Sequence, residues 1–342
     1  MTARRSRRAT LAWLGLLAGL TAVVFLVAWN GIGTVAEVIA VGGWSIVLLA
    51  FYYVLDLGGS TVSWRLLFAR GRAPSLGQSL LATWICGAVN SLLPVANIGG
   101  EVVRVRHVMR HGVGGTAAVA SVIVDKLVQA LTVLIWGLIG LALLIDHTGN
   151  REVVTGAAVG FALFGAGVAA FFLVQRLGVF GPAARAAAAI TNRAYWHGLA
   201  GSAAELDHAI RATYGRLGRF VGASTLKLAT RVVLATEVSV AAYLMHHHIP
   251  LLEAFAIRSL AVTVRAAAFA IPSGLGAQEG VFVAIGALLG YPAELMLAVS
   301  LATRLREILP FIPGLVFSQF AEGHALWRRR ASQRQPASSG PR

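Results

Sequence analysis

Residues 91–101 read SLLPVANIGGE, and residues 270–280 read AIPSGLGAQEG. In each stretch a proline follows an aliphatic residue, glycines come next, and a glutamate lies seven positions after the proline (Pro94 to Glu101, Pro272 to Glu279). The first stretch follows an apolar run that would otherwise continue as a helix. Proline removes a backbone donor and glycine favours non-helical conformations, so both stretches predict an interrupted helix.

The composition around these breaks is that of an integral membrane protein. Of the 342 residues, 57% are hydrophobic and only 13% are charged, and the mean hydropathy is +0.74. A soluble domain of this size needs more polar surface. The single cysteine, Cys86, excludes a disulfide framework and a CxxC metal or redox motif. The run His246–His248 predicts a solvated turn, because consecutive side chains do not easily converge on one metal. We therefore expect no metal and no cofactor.

The apolar runs and the basic residues predict a multi-pass topology. A helix crosses the hydrocarbon with about 20 apolar residues. The connections on one side carry 21 of the 29 basic residues, whereas those on the other side carry only Arg151. The positive-inside rule then places both termini in the cytoplasm, and the spread of these residues over short loops argues against a nucleic-acid partner. The predicted full spans are 11–29, 44–63, 117–145, 153–175, 221–245 and 295–321, with interrupted segments at about 76–110 and 254–290.

The predicted organisation is one transmembrane domain, residues 11–322, between a cytoplasmic N-terminus (1–10) and a basic tail (323–342) that need not fold. Its halves cover about 44–175 and 221–322. The connection 176–220 predicts either one or two helices along the inner leaflet or a plain linker. The first apolar run, 11–29, is long enough to span, which favours a transmembrane helix over a cleaved signal.

The two interrupted segments predict an inverted repeat. The first enters and leaves at the cytoplasmic face, and three predicted spans separate it from the second, which must open to the other side. We expect an all-α polytopic membrane protein with about six full transmembrane helices and two re-entrant helical hairpins that meet near the midplane. The alternatives are kinked spanning helices or pairs of closely joined spans. Non-helical backbone at this depth is expected to line a polar cavity, and the amides that follow each tip favour an anion.

Charged residues recur inside the apolar segments, where each costs at least about 2.5–3.5 kcal/mol unless it faces a cavity or a partner. Arg258 and Arg265 share a helix face, and Arg304 and Glu307 are spaced to pair. The set suits a cationic cavity for a phosphate-bearing headgroup. Alternatively the charges only pair with one another, the interpretation we favour for Arg231 with Glu237. The predicted substrate-binding or translocation residues are Asn97, Gly99, Gly100, Glu101, Arg104, Asp125, Lys126, Arg258, Arg265, Gly274, Gly276, Gln278, Glu279, Arg304 and Glu307.

Four stretches carry a family resemblance: LLPVANIGGEVVRVRHVMRHGV (92–113), AAVASVIVDKLVQ (117–129), IPSGLGAQEGVFVAIGALLGYP (271–292) and SLATRLREILPFIPGL (300–315). Together they resemble the flippase-like transmembrane region of lysylphosphatidylglycerol synthases. More narrowly, they resemble stand-alone membrane proteins associated with hopanoid biosynthesis. The resemblance implies a bacterial inner-membrane protein that moves a lipid between leaflets.

In the full synthases a soluble aminoacyl-transfer domain follows the membrane region, whereas this chain has an arginine-rich tail after Trp327. We therefore expect no aminoacyl transfer, and no G-x-S-x-G, P-loop or H-E-x-x-H motif indicates another enzyme. The resemblance suggests as substrate a hopanoid-related polar lipid or an anionic or aminoacylated phospholipid. The alternatives are an intramembrane enzyme that modifies a lipid headgroup and a non-transporting scaffold for lipid-biosynthesis enzymes.

Overall fold

The regular secondary structure of the described residues is entirely helical, as predicted. The computed structural model describes residues 37, 40–92, 99–148, 151–178, 182, 194–268, 274–304, 306, 309–311 and 313–314. A 3-10 helix, Gly43–Ala50, leads directly into α1. The α-helices are α1 (Phe51–Leu66), α2 (Leu76–Leu92), α3 (Gly99–Arg110), α4 (Gly115–Thr148), α5 (Arg151–Leu177), α6 (Ala194–Tyr214), α7 (Leu217–Leu244), α8 (Leu251–Ala267), α9 (Ala277–Leu288) and α10 (293–304).

Three stretches of described helix are long and apolar enough to cross a membrane: Val47–Leu66, Gly115–Ile145 and Thr155–Leu177. They coincide with the predicted spans 44–63, 117–145 and 153–175. The predicted span 221–245 coincides with α7, which carries several charged side chains. Of the remaining predicted spans, 11–29 lies outside the described residues and 295–321 is described only in part.

Each interrupted segment forms two helices that pack against each other. In the first, the 17-residue α2 is followed by the 12-residue α3, and in the second the 17-residue α8 is followed by the 12-residue α9. The stretches 93–98 and 269–273, which contain Pro94, Asn97 and Pro272, lie outside the described residues. The second break ends on Gly274 and Gly276, whose φ angles of 57° and 79° are readily adopted only by glycine.

The long helices α4, α7 and α8 pack on one another in the centre of the fold. Small residues bring α4 and α8 close together: a Cβ added at Gly140 would lie 1.6 Å from Ser259 Oγ, and one at Gly137 would lie 2.3 Å from Thr263 Oγ1. Close approach through small residues is a common way for membrane helices to associate. The central helices therefore connect the two helix pairs: α4 packs on α3, and α8 belongs to the second pair.

Part of the predicted linker 176–220 is the helix α6. It packs on α4 and α5, and its Ile210 belongs to a buried cluster with Trp64 of α1 and Val124 of α4. A second buried cluster joins α7, α8, α9 and α10. The two clusters correspond broadly to the two halves of the chain.

Candidate functional site

The predicted site residues of the first half meet where α3 and α7 each contact α4. Glu101, in the first turn of α3, forms an ion pair with Lys126 of α4. Arg104 Nη1 donates to Asp125 Oδ2 over 2.8 Å, and Lys227 Nζ of α7 donates to Asp125 Oδ1 over 2.7 Å. The Asp125 side chain is only 5% exposed. This one carboxylate thus links three helices.

Uncharged neighbours hold the beginning of α3 in place. The guanidinium of Arg104 lies 3.7 Å from the ring centroid of Trp64, within the range of a cation–π interaction. Asn90 Oδ1 of α2 accepts a hydrogen bond from the amide of Gly100 over 2.8 Å. A Cβ on Gly100 would lie 2.3 Å from the carbonyl oxygen of Cys86, so glycine permits this close approach. The first turn of α3 is therefore tied directly to α2.

The predicted residues of the second half meet at the beginning of α9. Glu279 is fully buried and pairs with Arg304 of α10, with Arg304 Nη2 lying 3.0 Å from Oε2. The same carboxylate accepts the Gly276 amide over 2.9 Å, which caps α9. Arg304 Nη2 also donates to the carbonyl oxygen of Gly274 over 3.2 Å. Arg304 thus pairs with Glu279. The predicted pairing of Arg304 with Glu307 stays a prediction, because Glu307 lies outside the described residues.

Arg265 of α8 reaches the same site through Gln278. Its Nη1 donates to Gln278 Oε1 over 3.1 Å, and Gln278 Nε2 lies 3.4 Å from both Ser300 Oγ and Thr303 Oγ1 of α10. The Arg265 side chain passes over Gly274, where an added Cβ would lie 2.2 Å from Arg265 Cγ. Polar side chains from three helices therefore converge on the start of α9.

The two halves contain equivalent ion pairs. Glu101 and Glu279 are each the third residue of the helix that follows a break, and each pairs with a cation 25 positions later in the chain. The Glu101 and Lys126 side chains are 12% and 33% exposed, whereas those of Glu279 and Arg304 are 0% and 8% exposed. Both glutamates lie at the electropositive start of a helix, where we expected an external anion. The amides of Gly100 and Gly276 are already satisfied by the chain's own side chains.

A third cluster joins α7 and α8 to α1. Glu237 of α7 is fully buried, with Arg306 Nε 3.1 Å from its Oε1 and Arg258 Nη2 of α8 3.5 Å from its Oε2. Arg306 Nη1 lies 3.2 Å from Asp56 Oδ2 of α1. The predicted pairing of Glu237 with Arg231 is therefore corrected, because the partners are Arg258 and Arg306. The helix packing brings those two arginines to opposite sides of the carboxylate.

Sequence reasoning missed Arg306 and Lys227 and left Asp56 unassigned. Each is a charge within an otherwise apolar helical stretch, which is the signal that would have identified it. Arg231 lies within electrostatic range of Asp56, Arg265 and Arg306, and its Nε has no hydrogen-bond partner among the described residues. Arg231 therefore lies between the third cluster and the cluster at the start of α9.

Among the described residues, eight cations and five acids form these clusters. No group of three or more His, Cys, Asp or Glu suited to a metal occurs in the described parts of the chain. The cations are Arg104, Lys126, Lys227, Arg231, Arg258, Arg265, Arg304 and Arg306, and the acids are Asp56, Glu101, Asp125, Glu237 and Glu279.

No curated protein and no solved structure significantly matches this chain. A family profile described as "Lysylphosphatidylglycerol synthase TM region" matches residues 13–314. That range covers most of the chain and includes both helix pairs and all the charged clusters described above. The chain therefore belongs to the family of lysylphosphatidylglycerol synthase transmembrane regions.

Proposed function

We propose that this protein moves a polar lipid between the leaflets of the bacterial inner membrane and leaves it chemically unchanged. The observation that carries the proposal is the equivalent Glu–cation pair at the start of α3 and of α9. Membership of a family named for a lipid synthase supports a role with lipids. The substrate is a hopanoid-related polar lipid or an anionic or aminoacylated phospholipid, and enzymes of lipid biosynthesis are partners that supply it.

The architecture that suits this function is an inverted repeat with about six full spans and both termini in the cytoplasm. The helix pairs α2–α3 and α8–α9 are then the re-entrant hairpins that approach each other from opposite faces. The packing of the two helices of each pair against each other supports this arrangement. The equal separation of each glutamate from its cation supports it as well.

Each Glu–cation pair acts in this proposal as a latch between a hairpin and the helix that follows it. Separating a buried pair costs several kcal/mol unless another charge replaces the lost partner. An anionic headgroup supplies that replacement, because its phosphate or carboxylate pairs with the released cation. The lipid tails remain in the hydrocarbon throughout, so only the headgroup needs a polar route.

The different exposure of the two latches supports alternating access. The Glu101–Lys126 pair is partly accessible, whereas the Glu279–Arg304 pair is sealed. In a carrier with two opposed gates, one gate is accessible while the other is closed. No nucleotide-binding motif occurs in the sequence, so transport is passive or ion-coupled, with the buried acids as proton sites.

A vesicle assay tests the proposal. Purified protein is reconstituted into vesicles that contain labelled phosphatidylglycerol or a polar hopanoid, and leaflet exposure and chemical identity of the lipid are followed together. Movement without conversion supports a translocator. Conversion supports the intramembrane enzyme, and the absence of both supports the scaffold.

Matched variants test the latches. Glu101→Gln and Glu279→Gln should each slow movement about tenfold or more, because a charge-assisted hydrogen bond contributes about 1.5–3 kcal/mol. Glu253→Gln is the control, since Glu253 bonds Tyr291 and takes no part in the charged clusters. Wild-type rates in both latch variants would refute the assigned roles, provided that each variant elutes as a folded protein.

A further inference from the structure

A cavity of about 480 Å³ lies between the loop that joins α1 to α2 and the loop that joins α3 to α4. Arg72, Ser75 and Gln78 line it on one side, and His111 and Gly112 line it on the other. Its volume falls within the range of about 300–1,000 Å³ that is usual for small-molecule sites. Ala117 of α4 also lines it and precedes Asp125 by eight residues, which is about 12 Å along the helix. The cavity is thus separate from the buried charged clusters.

The chain around the cavity is strongly cationic. No Asp or Glu occurs from residue 57 to residue 100 or from residue 102 to residue 124. The same stretches contain Arg65, Arg70 and Arg72 before α2, and Arg106 and Arg110 near the end of α3. The two loops that form the cavity therefore produce a positive potential with no nearby acid in their own sequence to offset it.

The loop before α2 is held in shape by its own hydrogen bonds. Arg65 Nε donates to the carbonyl oxygen of Pro74 over 3.1 Å. The backbone N–H of Ser75 donates to Gln78 Oε1 over 3.0 Å, and the backbone N–H of Gln78 donates to Ser75 Oγ over 3.3 Å. These bonds form before any ligand binds, so the site needs little reorganisation.

Several donors that line the cavity are open to solvent and have no partner among the described residues. The guanidinium of Arg72 has no hydrogen-bond partner among the described residues. Gln78 Oε1 accepts from the backbone of Ser75, which leaves the side-chain nitrogen Nε2 available. His111 Nδ1 lies 2.8 Å from the carbonyl oxygen of His107, which leaves Nε2 available. A guanidinium, a carboxamide and an imidazole around one cavity are donors that suit the several acceptor oxygens of a phosphate.

The position of the cavity matches the inner surface of the membrane. Both of its loops belong to the basic connections that the positive-inside rule assigns to the cytoplasm. Nearby Leu76 and Met109 are 47% and 46% exposed, as expected for side chains that meet lipid. Arginine clusters at this level attract anionic headgroups. We propose that this cavity binds a phosphate group at the inner membrane surface, either in the headgroup of an anionic phospholipid or as free phosphate.

Thermal unfolding of the full chain in detergent micelles tests the site. Three samples contain a phosphate-free maltoside detergent alone, the same detergent with phosphatidylglycerol, and the same detergent with inorganic phosphate at matched ionic strength. A ligand that binds only the folded protein raises the midpoint temperature of unfolding, and the increase grows with the ligand concentration. Stabilisation by phosphatidylglycerol alone identifies the lipid source, and stabilisation by phosphate identifies the soluble one.

Two neighbouring arginines provide the matched comparison. Arg72→Gln should weaken the apparent affinity about tenfold or more, because it removes a charge-assisted bond. Arg70→Gln removes the same charge two residues away, outside the lining, and should stay within about threefold of the parent protein. His111→Gln is a second variant of the site and should weaken binding less than Arg72→Gln.

The proposal is overturned if Arg72→Gln and Arg70→Gln weaken binding equally, because a diffuse basic surface would explain that result. It is also overturned if neither phosphatidylglycerol nor phosphate stabilises the parent protein. Both results are independent of the vesicle transport rate, so the phosphate site and the translocator proposal can fail separately.

Discussion

Replacing Asp125 by asparagine should strongly destabilise the protein. The carboxylate contacts Arg104 at 2.8 Å and Lys227 at 2.7 Å, and its side chain is 5% exposed. At an effective dielectric constant of about 20, each contact represents about 6 kcal/mol of gross attraction. Desolvation offsets much of this attraction in the parent protein, so the gross figure is not the net contribution.

The net effect follows from what the substitution leaves behind. Asparagine keeps the shape but leaves two buried cations without their shared acid, and Glu101 lies 3.8 Å from Arg104 and compensates only in part. Breaking a buried pair in this way costs about 3–5 kcal/mol. We expect the free energy of unfolding, measured by denaturant titration in mixed micelles, to fall by that amount.

The double variant Asp125→Asn/Lys227→Met tests the reasoning more sharply. It removes Lys227, one of the two cations that lose the Asp125 carboxylate, so it should be more stable than Asp125→Asn alone. The coupling energy between Asp125 and Lys227 should be about 1–3 kcal/mol. Glu253→Gln, the same chemical change at a carboxylate that bonds Tyr291, should cost about 1 kcal/mol. A loss below about 1 kcal/mol for Asp125→Asn, or strict additivity in the double variant, would refute the account.

Two further predictions concern packing and the third cluster. Gly100→Ala should lower the free energy of unfolding by about 1–3 kcal/mol, because the new Cβ would lie 2.3 Å from the Cys86 carbonyl oxygen. Gly77→Ala, in the first turn of α2 with nothing within 4 Å, is the matched control and should be neutral or slightly stabilising. Arg306→Met should cost about 3 kcal/mol, because the fully buried Glu237 then loses its contact with Arg306, at 3.1 Å, which is shorter than its contact with Arg258, at 3.5 Å. In the same unfolding assay, adding Glu237→Leu should recover part of that loss, and a further additive loss would contradict the assigned pairing.

Features that depend on neighbouring residues could be predicted from the sequence. The proline and glycines of each break act on the backbone where they occur, so the ends of α2 and α8 and the starts of α3 and α9 were expected near their observed positions. The separation of 25 residues between Glu101 and Lys126, and between Glu279 and Arg304, is also visible in the sequence. That these residues pair with each other is known only from the structure.

Pairings between distant elements could not be predicted in this way. Asp125 and Lys227 are 102 residues apart, and Arg306 and Asp56 are 250 residues apart. Helical periodicity specifies which side chains share a face, but it does not specify which other helix that face will meet. For this reason the sequence predicts a pair between Glu237 and Arg231 on the same helix, whereas Glu237 pairs with arginines from two other segments.

By itself, the amino-acid sequence determined the membrane class, the helical character and the positions of the two breaks, because these follow from composition and from backbone chemistry within a few residues. The tertiary structure decided which buried charges pair with each other in the described part of the chain. A charge in a low-dielectric interior is stabilised only by groups within a few ångströms, and packing alone determines which groups those are.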